Sequence, residues 1–466
     1  MTPTAVKRLM QIGAAARQIY AQWSLPNLRR RITNRPGLHA ILKNTSWLAA
    51  DKLLRLGFGL VVGVLIARAL GPQQFGLLSF VTALVTLSGA IGSLGLDSIT
   101  VGALVADTEE PGYTLGTVFA LKLLGTTVAA LVVVTLSVLL RPDQPQVWRI
   151  AAIIGFGQVF MAFDAIDFWF QSRLESRFTV LAKNAAFLVA SIIRVLILVA
   201  GATVIALAWA TALEYVLGGL VLAATYARVA PNNLWSWRVR WKTAQALLRK
   251  SWPLIFSGLV IAVYMRLDQV MLAIMSGDIE VGVYSVAVRL AEVWYFVPVA
   301  VAGSTLPTIL RSRGRSSAVY ANQMKQLFVS MALVGYAVAI ATTLFAGIIV
   351  RVLYGSVYLG SVFPLIVLGW AGLFVCLGVS RENWMLAEGL MKWSLLTTAL
   401  GAIVNVALNL VLIPGYGALG AAVATLAAQA VAVLFSTALF PPTRPVFLMQ
   451  LHGLALGLTG KSRAVP

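Results

Sequence analysis

Residues 77–94 read LLSFVTALVTLSGAIGSL, an apolar stretch without a charged side chain. A helix needs about 20 apolar residues to cross the ~30 Å hydrocarbon core of a bilayer, and the flanks of this stretch supply the remainder. Comparable stretches recur along the chain, and they are continuous rather than alternating with period two, which favours helices over a β-barrel. We predict spans at residues 45–69, 75–98, 114–140, 147–170, 178–201, 203–226, 251–275, 283–310, 324–348, 360–387, 393–413 and 418–440. The sequence therefore predicts an all-α integral membrane protein with twelve transmembrane helices.

The composition agrees with a membrane protein. Hydrophobic residues make up 59% of the chain, charged residues only 11%, and the mean hydropathy is +0.87. A soluble protein could not bury so much apolar surface. The single cysteine, Cys376, cannot form an internal disulfide, and His39 and His452 lie outside the spans, so we expect no metal site. No P-loop occurs, so we expect no nucleotide cofactor and no direct use of ATP.

The net charge of +20 raises the question of a nucleic-acid partner, but the distribution of the basic residues argues against one. Most of them lie in the two terminal segments and in the loops on one side of the predicted spans. On the opposite side we find only Arg68, Arg141, Arg149 and Arg351. Because basic loops stay in the cytoplasm, this bias predicts that both termini are cytoplasmic. We expect a multi-pass protein of the bacterial inner membrane.

The predicted spans divide the chain into five segments. Residues 1–43 form a basic, amphipathic segment that either lies on the membrane surface or is a tail whose charges only set the orientation. An N-terminal lobe with six spans follows at 44–226, then a basic cytoplasmic linker at 227–250. A C-terminal lobe at 251–440 contains the other six spans, and 441–466 is a cytoplasmic tail.

The two halves resemble each other weakly. The matched positions are Ser46, Trp47, Gly76, Gly201, Ala210 and Thr211 in the first half and Ser251, Trp252, Gly282, Gly415, Ala424 and Thr425 in the second. Six spans in each half give both copies the same orientation. We therefore predict two lobes related by a two-fold axis along the membrane normal, with a central cavity between them.

Several short motifs give the chain a family resemblance. They are Ile66 to Pro72 with Phe75 and Gly76, Arg266 to Gln269 followed by Gly282 to Ala287, Leu353 to Gly355 with Tyr358, and Asn405, Asn409 and Leu412 to Ala422. In these motifs the chain resembles the polysaccharide (O-antigen type) flippases of the multidrug/oligosaccharidyl-lipid/polysaccharide (MOP) exporter superfamily. The resemblance covers roughly residues 44–440.

This resemblance implies a fold of two six-helix lobes, as in the MATE transporters, around a central and often cationic cavity. It also implies a function, the transfer of lipid-linked oligosaccharides from the cytoplasmic to the outer leaflet by alternating access, with undecaprenyl diphosphate as the usual carrier. The implied partners are the lipid-linked oligosaccharide, membrane lipids, and a polysaccharide polymerase with other assembly proteins.

Charged residues inside the spans are the candidate site residues, because a charge in the membrane interior is costly and usually functional. A diphosphate requires cations, and arginine offers a two-pronged fork for phosphate oxygens. We predict a substrate-binding set formed by Arg266, Asp268, Arg55, Lys52, Arg289, Glu292 and Arg381. Arg266 and Asp268 are the foremost candidates, because residues two apart on a helix cannot pair with each other.

Each of the other charges also has a purely structural interpretation. Asp51 with Arg55, and Arg289 with Glu292, are spaced so that each pair could neutralise itself along one helix face. Lys52 and Arg381 lie near span ends, where long side chains reach the interface. For Asp268 we expect either a neighbouring base or a role in ion coupling.

Two other functions compete with the flippase. A drug or cation antiporter of the same superfamily would require a cavity dominated by acids, whereas acids and bases in these spans are nearly balanced. A membrane polysaccharide polymerase or ligase would require a large outer loop with reactive side chains, and the predicted outer loops are short. We therefore expect a transporter without catalytic residues.

Overall fold

The structure is a computed structural model that describes residues 36–106, 110–201, 203–230, 234–314 and 316–459. The amphipathic segment was predicted at residues 1–43, and residues 1–35 of it lie outside the described residues. Across the described ranges the regular structure is helical and contains no strand. Ten helical stretches there are long and apolar enough to cross a membrane.

Two of these ten stretches contain a glycine that divides them, which yields twelve spans in the described part of the chain. Gly71 (φ 69°, ψ 171°) interrupts Pro36–Gly92, and Gly417 (φ 52°, ψ −129°) interrupts Met391–Ala430. Positive φ is accessible to glycine without steric cost, and Pro72 then begins the second helix at a position where proline is well tolerated. The predicted number of spans is thus confirmed.

We number the spans in chain order. The N-terminal lobe contains α1 (36–70), α2 (72–105, with a break at 93–95), α3 (Pro111–Leu140), α4 (Pro145–Ser172), α5 (Arg177–Val199) and α6 (Val204–Val229). The C-terminal lobe contains α7 (Trp241–Met275), α8 (Asp278–Arg313), α9 (Ser317–Tyr354), α10 (Ser356–Glu388), α11 (391–416) and α12 (418–439). A further helix, α13 (Arg444–Thr459), follows.

Besides the break in α2, three spans contain an internal turn that departs from α-helical geometry. α4 contains a 3-10 turn at Phe160–Phe163, α8 contains one at Val293–Tyr295, and α12 contains a π-helical turn at Val431–Phe435. Such departures free backbone carbonyl groups and often occur at functional sites in membrane helices.

The helices of each lobe pack mainly on one another. In the first lobe α3 packs along α4, and α5 along α6; in the second α9 packs along α10, and α10 along the helix pair α11 and α12. α7 contacts both lobes: it lies against α2 and α3 of the first lobe, and near its end Asp268 and Ser276 contact the α11–α12 pair. At Gly95 of α2, for example, a Cβ atom would be only 2.9 Å from the carbonyl oxygen of Ser251.

The segments predicted as linker and tail contain regular structure. α7 begins at Trp241, and the preceding extended segment is tied to α3 because the amide of Arg238 donates to the carbonyl of Gly112 (3.2 Å). α13 packs on α9, where Gly453 lies against the backbone of Phe328. The buried Gln450 donates to the carbonyl of Val433 (2.9 Å), so this helix docks on the C-terminal lobe.

Candidate substrate cavity between the lobes

The two lobes meet closely at one face of the molecule, which we call the closed face. It is formed where α1 joins α2, where α3 ends and where α8 begins. Gly76 of α2 and Gly282 of α8 lie so close to the opposite helix that a Cβ atom on Gly76 would overlap the carbonyl oxygen of Asp278, and one on Gly282 would overlap that of Pro72. Glycine at these two positions is therefore required for the observed approach of the lobes.

Polar contacts reinforce the closed face. Arg141 at the end of α3 forms a salt bridge with Asp278 at the start of α8, with 3.0 Å between Nη2 and Oδ1. The Tyr358 hydroxyl of α10 donates to the carbonyl of Ala67 in α1 (2.7 Å). Both contacts join one lobe to the other, so the cavity behind this face is sealed on this side.

A polar cavity of about 150 Å³ lies between α2 of the first lobe and α7 and α8 of the second. The residues that line it are Ser79, Thr82, Ala83, Thr86, Arg266, Gln269, Ser285, Val288, Arg289 and Glu292. The Ser285 hydroxyl is buried and finds no hydrogen-bond partner in the described part of the protein. The cavity thus brings two arginines, one carboxylate and several hydroxyl groups to the interface between the lobes.

Arg266 and Glu292 lie side by side in the lining of this cavity and form a salt bridge. Nη1 of Arg266 lies 3.2 Å from Oε1 of Glu292, and Nη2 lies 3.2 Å from Oε2. Both prongs of the guanidinium are therefore occupied in the bidentate geometry that arginine forms with carboxylates. The two side chains remain 25% and 27% exposed, so the pair is accessible from the cavity.

Arg289 lines the same cavity but has no acidic partner. Among the described residues no carboxylate lies within 4 Å of its guanidinium, and no acceptor forms a hydrogen bond with it. The guanidinium lies 5.2 Å from the centre of the Phe75 ring and packs against Gly63 of α1, where a Cβ atom would collide with it. Its charge interacts with those of Arg266, Glu292 and Arg194, but none of these groups is bonded to it. Arg289 is thus a half-buried cation without a bonded acid among the described residues.

Asp268 lies beside this cavity, buried in the second lobe. One carboxylate oxygen accepts from the Tyr284 hydroxyl of α8 and lies 3.3 Å from the Thr425 hydroxyl of α12, and the other accepts from the amide of Gln269 (2.8 Å). No basic side chain of the described residues is within 4 Å. Asp268 therefore does not pair with a neighbouring base, which was one of the two expectations for it. Two hydroxyl groups contact it instead, and these contacts join α7, α8 and α12.

Arg55 belongs to a network in the first lobe. Its guanidinium contacts Asp51 (3.0 Å) one turn earlier in α1 and Glu214 of α6 (3.6 Å), and Glu214 also pairs with Arg194 of α5 (2.7 Å). The self-neutralising interpretation thus applies to Arg55 and Asp51, whereas Arg289 and Glu292 do not pair. Lys52 is exposed and forms no ion pair with another described residue.

Arg381 does not line the cavity that Arg266, Arg289 and Glu292 share. It is buried in the second lobe, where it pairs with Glu382 (2.7 Å) and donates to Thr397 (3.1 Å) and to the carbonyl of Ala432 in the π-helical turn. From the sequence we grouped Arg381 with Arg266 and Arg289 in one substrate-binding set, but the structure does not bring Arg381 into the cavity that those two arginines line. A carbonyl freed by the π-turn requires a donor, and Arg381 supplies it.

Sequence reasoning missed the neutral polar wall of the cavity. Ser79, Thr82 and Thr86 follow one another at helical spacing on α2, and this periodicity of hydroxyl groups was a readable signal. Gln269 and Ser285 carry no comparable signal, because isolated polar residues within spans more often serve helix packing.

The family model for the polysaccharide biosynthesis protein family matches residues 41–313. No curated protein matches the chain. Among solved structures, the lipid II flippase MurJ in an inward closed conformation superposes with a TM-score of 0.69 at 15% identity, covering 88% of this chain and 91% of that one.

Two conformations of multidrug resistance MATE family transporters of the MOP superfamily also match. An inward-facing one gives a TM-score of 0.67 at 16% identity, covering 90% of this chain and 100% of that one. An outward-facing one gives 0.57 at 15% identity, covering 91% and 97%. The family match over residues 41–313 shows that the chain belongs to the polysaccharide biosynthesis protein family, and its twelve spans and two lobes agree with the fold of these solved transporters.

Proposed function

We propose that the protein is a flippase that moves lipid-linked oligosaccharides, carried on undecaprenyl diphosphate, from the cytoplasmic to the outer leaflet. The observation that supports this substrate most directly is Arg289, a cation without an acidic partner among the described residues, in the cavity between the lobes. A half-buried guanidinium in a membrane protein is costly unless water or an anion compensates it. A diphosphate is such an anion, and its oxygens match the guanidinium fork.

The hydroxyl-bearing wall of the cavity suits the rest of the head group. Ser79, Thr82 and Thr86 of α2 and Gln269 of α7 line the same cavity as Arg289. A sugar presents hydroxyl groups that both donate and accept hydrogen bonds, and these side chains do the same. In this conformation the cavity has room for the phosphates, and a whole oligosaccharide requires the lobes to separate further.

Alternating access follows from the closed face. The positive-inside distribution of the loops supports an outer location for this face, with the cavity directed to the cytoplasm, where lipid-linked precursors are made. Transport then requires the contacts of Gly76, Gly282 and Arg141 to break and an equivalent seal to form on the cytoplasmic side.

The competing functions have less support. A cation antiporter requires uncompensated acids in its cavity, whereas the carboxylate of Glu292 is neutralised by Arg266 and Arg289 adds a positive charge. A polymerase or ligase requires an outer domain, whereas α3 and α4, α7 and α8, and α9 and α10 are joined by only residues 141–144, 276–277 and 355 on the closed face. We therefore propose a transporter that works with separate polymerase and assembly proteins.

Asp268 is the candidate for ion coupling. Its buried carboxylate is held by hydroxyl groups of α8 and α12, so gain or loss of a proton or cation there would alter the contacts among three helices. Asp268→Asn should transport without responding to an imposed proton or sodium gradient. A gradient response equal to that of the unaltered protein would refute this role.

The test of the proposed function is flipping of a fluorescent undecaprenyl diphosphate in proteoliposomes, read by quenching of the label in the outer leaflet. We expect Arg289→Ala to lower the rate at least about tenfold, because the loss of one charge-assisted contact costs about 1.5–3 kcal/mol. Arg289→Lys should retain part of the activity, since the charge remains without the fork. Arg351→Ala, which removes an exposed arginine at the end of α9, is the matched control. Equal rates for Arg289→Ala and the control would overturn the proposal.

A further inference from the structure

The geometry points to Glu292 as an internal competitor of the lipid diphosphate. Its carboxylate occupies both prongs of Arg266, so the substrate must displace Glu292 before it can bind this arginine, and the returning carboxylate helps to expel the substrate. This inference rests on the proposed function, because it assumes that an anionic head group enters the cavity.

The first support is the different state of the two cavity arginines. Arg289 is free to receive a phosphate, whereas Arg266 is held by Glu292 through two contacts of 3.2 Å. Both arginines line the same cavity as Glu292. Glu292 is bonded to Arg266, and it interacts with Arg289 only through its charge. A diphosphate has two groups to bind, and only one of the two forks is open to it.

The second support is exposure, which a comparison within the same lobe makes clear. Another Arg–Glu pair of this lobe, Arg381 with Glu382, buries its arginine to 4% exposure, and Arg381 also bonds Thr397 and a backbone carbonyl. The Arg266 side chain is 25% exposed, and Glu292 is its only bonded partner in the described part of the chain. Arg381 is therefore fixed, whereas Arg266 can change partners at the cavity surface.

When the diphosphate displaces Glu292 from Arg266, the arginine loses one bidentate contact and gains another. Carboxylate and phosphate oxygens present similar geometry to a guanidinium, so one bidentate contact replaces another. The diphosphate carries more negative charge than one carboxylate and also contacts Arg289, which favours displacement. The displaced Glu292 then lies beside an anion, and the repulsion between them weakens substrate binding. Affinity is thus limited, as a transporter that must release its substrate requires.

The experiment uses the full-length protein in lipid nanodiscs and farnesyl diphosphate as the probe, with binding measured by microscale thermophoresis. Glu292→Gln removes the charge, and Glu292→Asp keeps the charge but is one methylene too short to reach both prongs of Arg266. We expect Glu292→Gln to tighten binding at least about tenfold, since a charged contact no longer has to be broken. Glu292→Asp should also tighten binding, by a smaller factor. Glu382→Gln, in the pair that does not line the cavity, should bind as the unaltered protein does.

A second measurement covers release. In proteoliposomes Glu292→Gln should lower the half-saturating concentration of the lipid substrate and also lower the maximal rate. Unchanged or weaker binding by Glu292→Gln would overturn the inference. Tightening by Glu292→Gln with no change for Glu292→Asp would also overturn it, because the negative charge alone, rather than occupation of the fork, would then be responsible.

The two proposals fail in different ways. If the unaltered protein does not bind farnesyl diphosphate, or if Arg289→Ala binds it equally well, the proposed substrate is wrong and the role of Glu292 falls with it. If Arg289→Ala loses binding while both Glu292 variants bind as the unaltered protein does, the proposed function stands and only the competitor role is wrong. Thermal unfolding of each variant in the same nanodiscs reports whether a loss of binding reflects misfolding.

Discussion

Arg141 and Asp278 are 137 positions apart in the chain, yet their side chains join the two lobes by a salt bridge of 3.0 Å at the closed face. Arg141 also donates to the carbonyl of Ala273 and lies over the Phe80 ring. Both charged side chains are nearly buried, at 10% and 13% exposure, so loss of either partner leaves an uncompensated charge in the closed state.

We predict that Asp278→Asn shifts the equilibrium towards a conformation in which this face is open. The measurement is the distance between spin labels on Asp143 and Val357, which are exposed on the two lobes at this face, by pulsed electron paramagnetic resonance. The longer distance should gain population. A distribution identical to that of the protein with Asp278 intact would show that the salt bridge does not hold the face closed.

The contact of Gly282 with Pro72 gives a second prediction about the same face. Gly282→Ala should exclude the closed conformation, because the new Cβ atom overlaps the carbonyl oxygen of Pro72. The same pair of spin labels should then report mainly the long distance. Gly303→Ala on the same helix is the matched control, because a Cβ atom there would meet no other described atom within 4 Å. If both variants leave the distances unchanged, the backbone of the closed face is more tolerant than its geometry indicates.

The third prediction concerns Arg266. Arg266→Ala should abolish glycan export and leave lipid-linked repeats on the inner leaflet, because it removes one phosphate fork and leaves the carboxylate of Glu292 unpaired in the cavity. Arg266→Lys should keep partial export, since the charge remains. Export and the amount of protein in the membrane are measured together. Normal export by Arg266→Ala, or failure only through degradation of the protein, would show that Arg266 is structural.

The fourth prediction is the orientation of the spans. Single cysteines at Asp143 and Ser276 should be labelled from the periplasm, and those at Arg238 and Arg313 from the cytoplasm. The only native cysteine, Cys376, is buried, so a membrane-impermeant thiol reagent should give a low background. Labelling of any of the four from the opposite side would contradict the predicted topology and reverse the inferred direction of the cavity.

The spans could be predicted from the sequence because each contains enough apolar residues to cross the membrane by itself. The turns at Gly71 and Gly417 were readable for a related reason, since glycine next to proline or near it interrupts a helix. Such information is local, and it specified the number and order of the helices correctly.

The pairing of charges could not be read from the sequence because it depends on contacts between helices. Spacing along α8 suggested that Arg289 pairs with Glu292, but Glu292 instead bonds Arg266, which lies 26 positions earlier on a different helix. Asp268 likewise meets Thr425 across 157 positions. Only the packing of α7 against α8 and α12 decides which charges remain unpaired, and among the described residues it left Arg289 rather than Arg266 without an acidic partner.

The docking of α13 was also beyond sequence reasoning. Its sequence, Arg444–Thr459, follows two prolines and the last predicted span, so we expected a cytoplasmic tail there and no helix docked on the lobe. The buried Gln450 accepts a hydrogen bond from the Thr437 hydroxyl and donates one to the carbonyl of Val433. Hydropathy along the sequence does not predict such contacts between helices.

Arg289 is the residue on which the proposed function depends most, as the ligand for the phosphate of a lipid carrier in the cavity between α2, α7 and α8. A cryo-electron microscopy map of the full-length protein in nanodiscs with undecaprenyl diphosphate tests this role most directly. We predict density for the phosphates in contact with the Arg289 guanidinium, with Glu292 moved away from Arg266. Phosphate density on the network of Arg55, Arg194 and Glu214 instead, or a cavity that remains empty at saturating lipid, would contradict it.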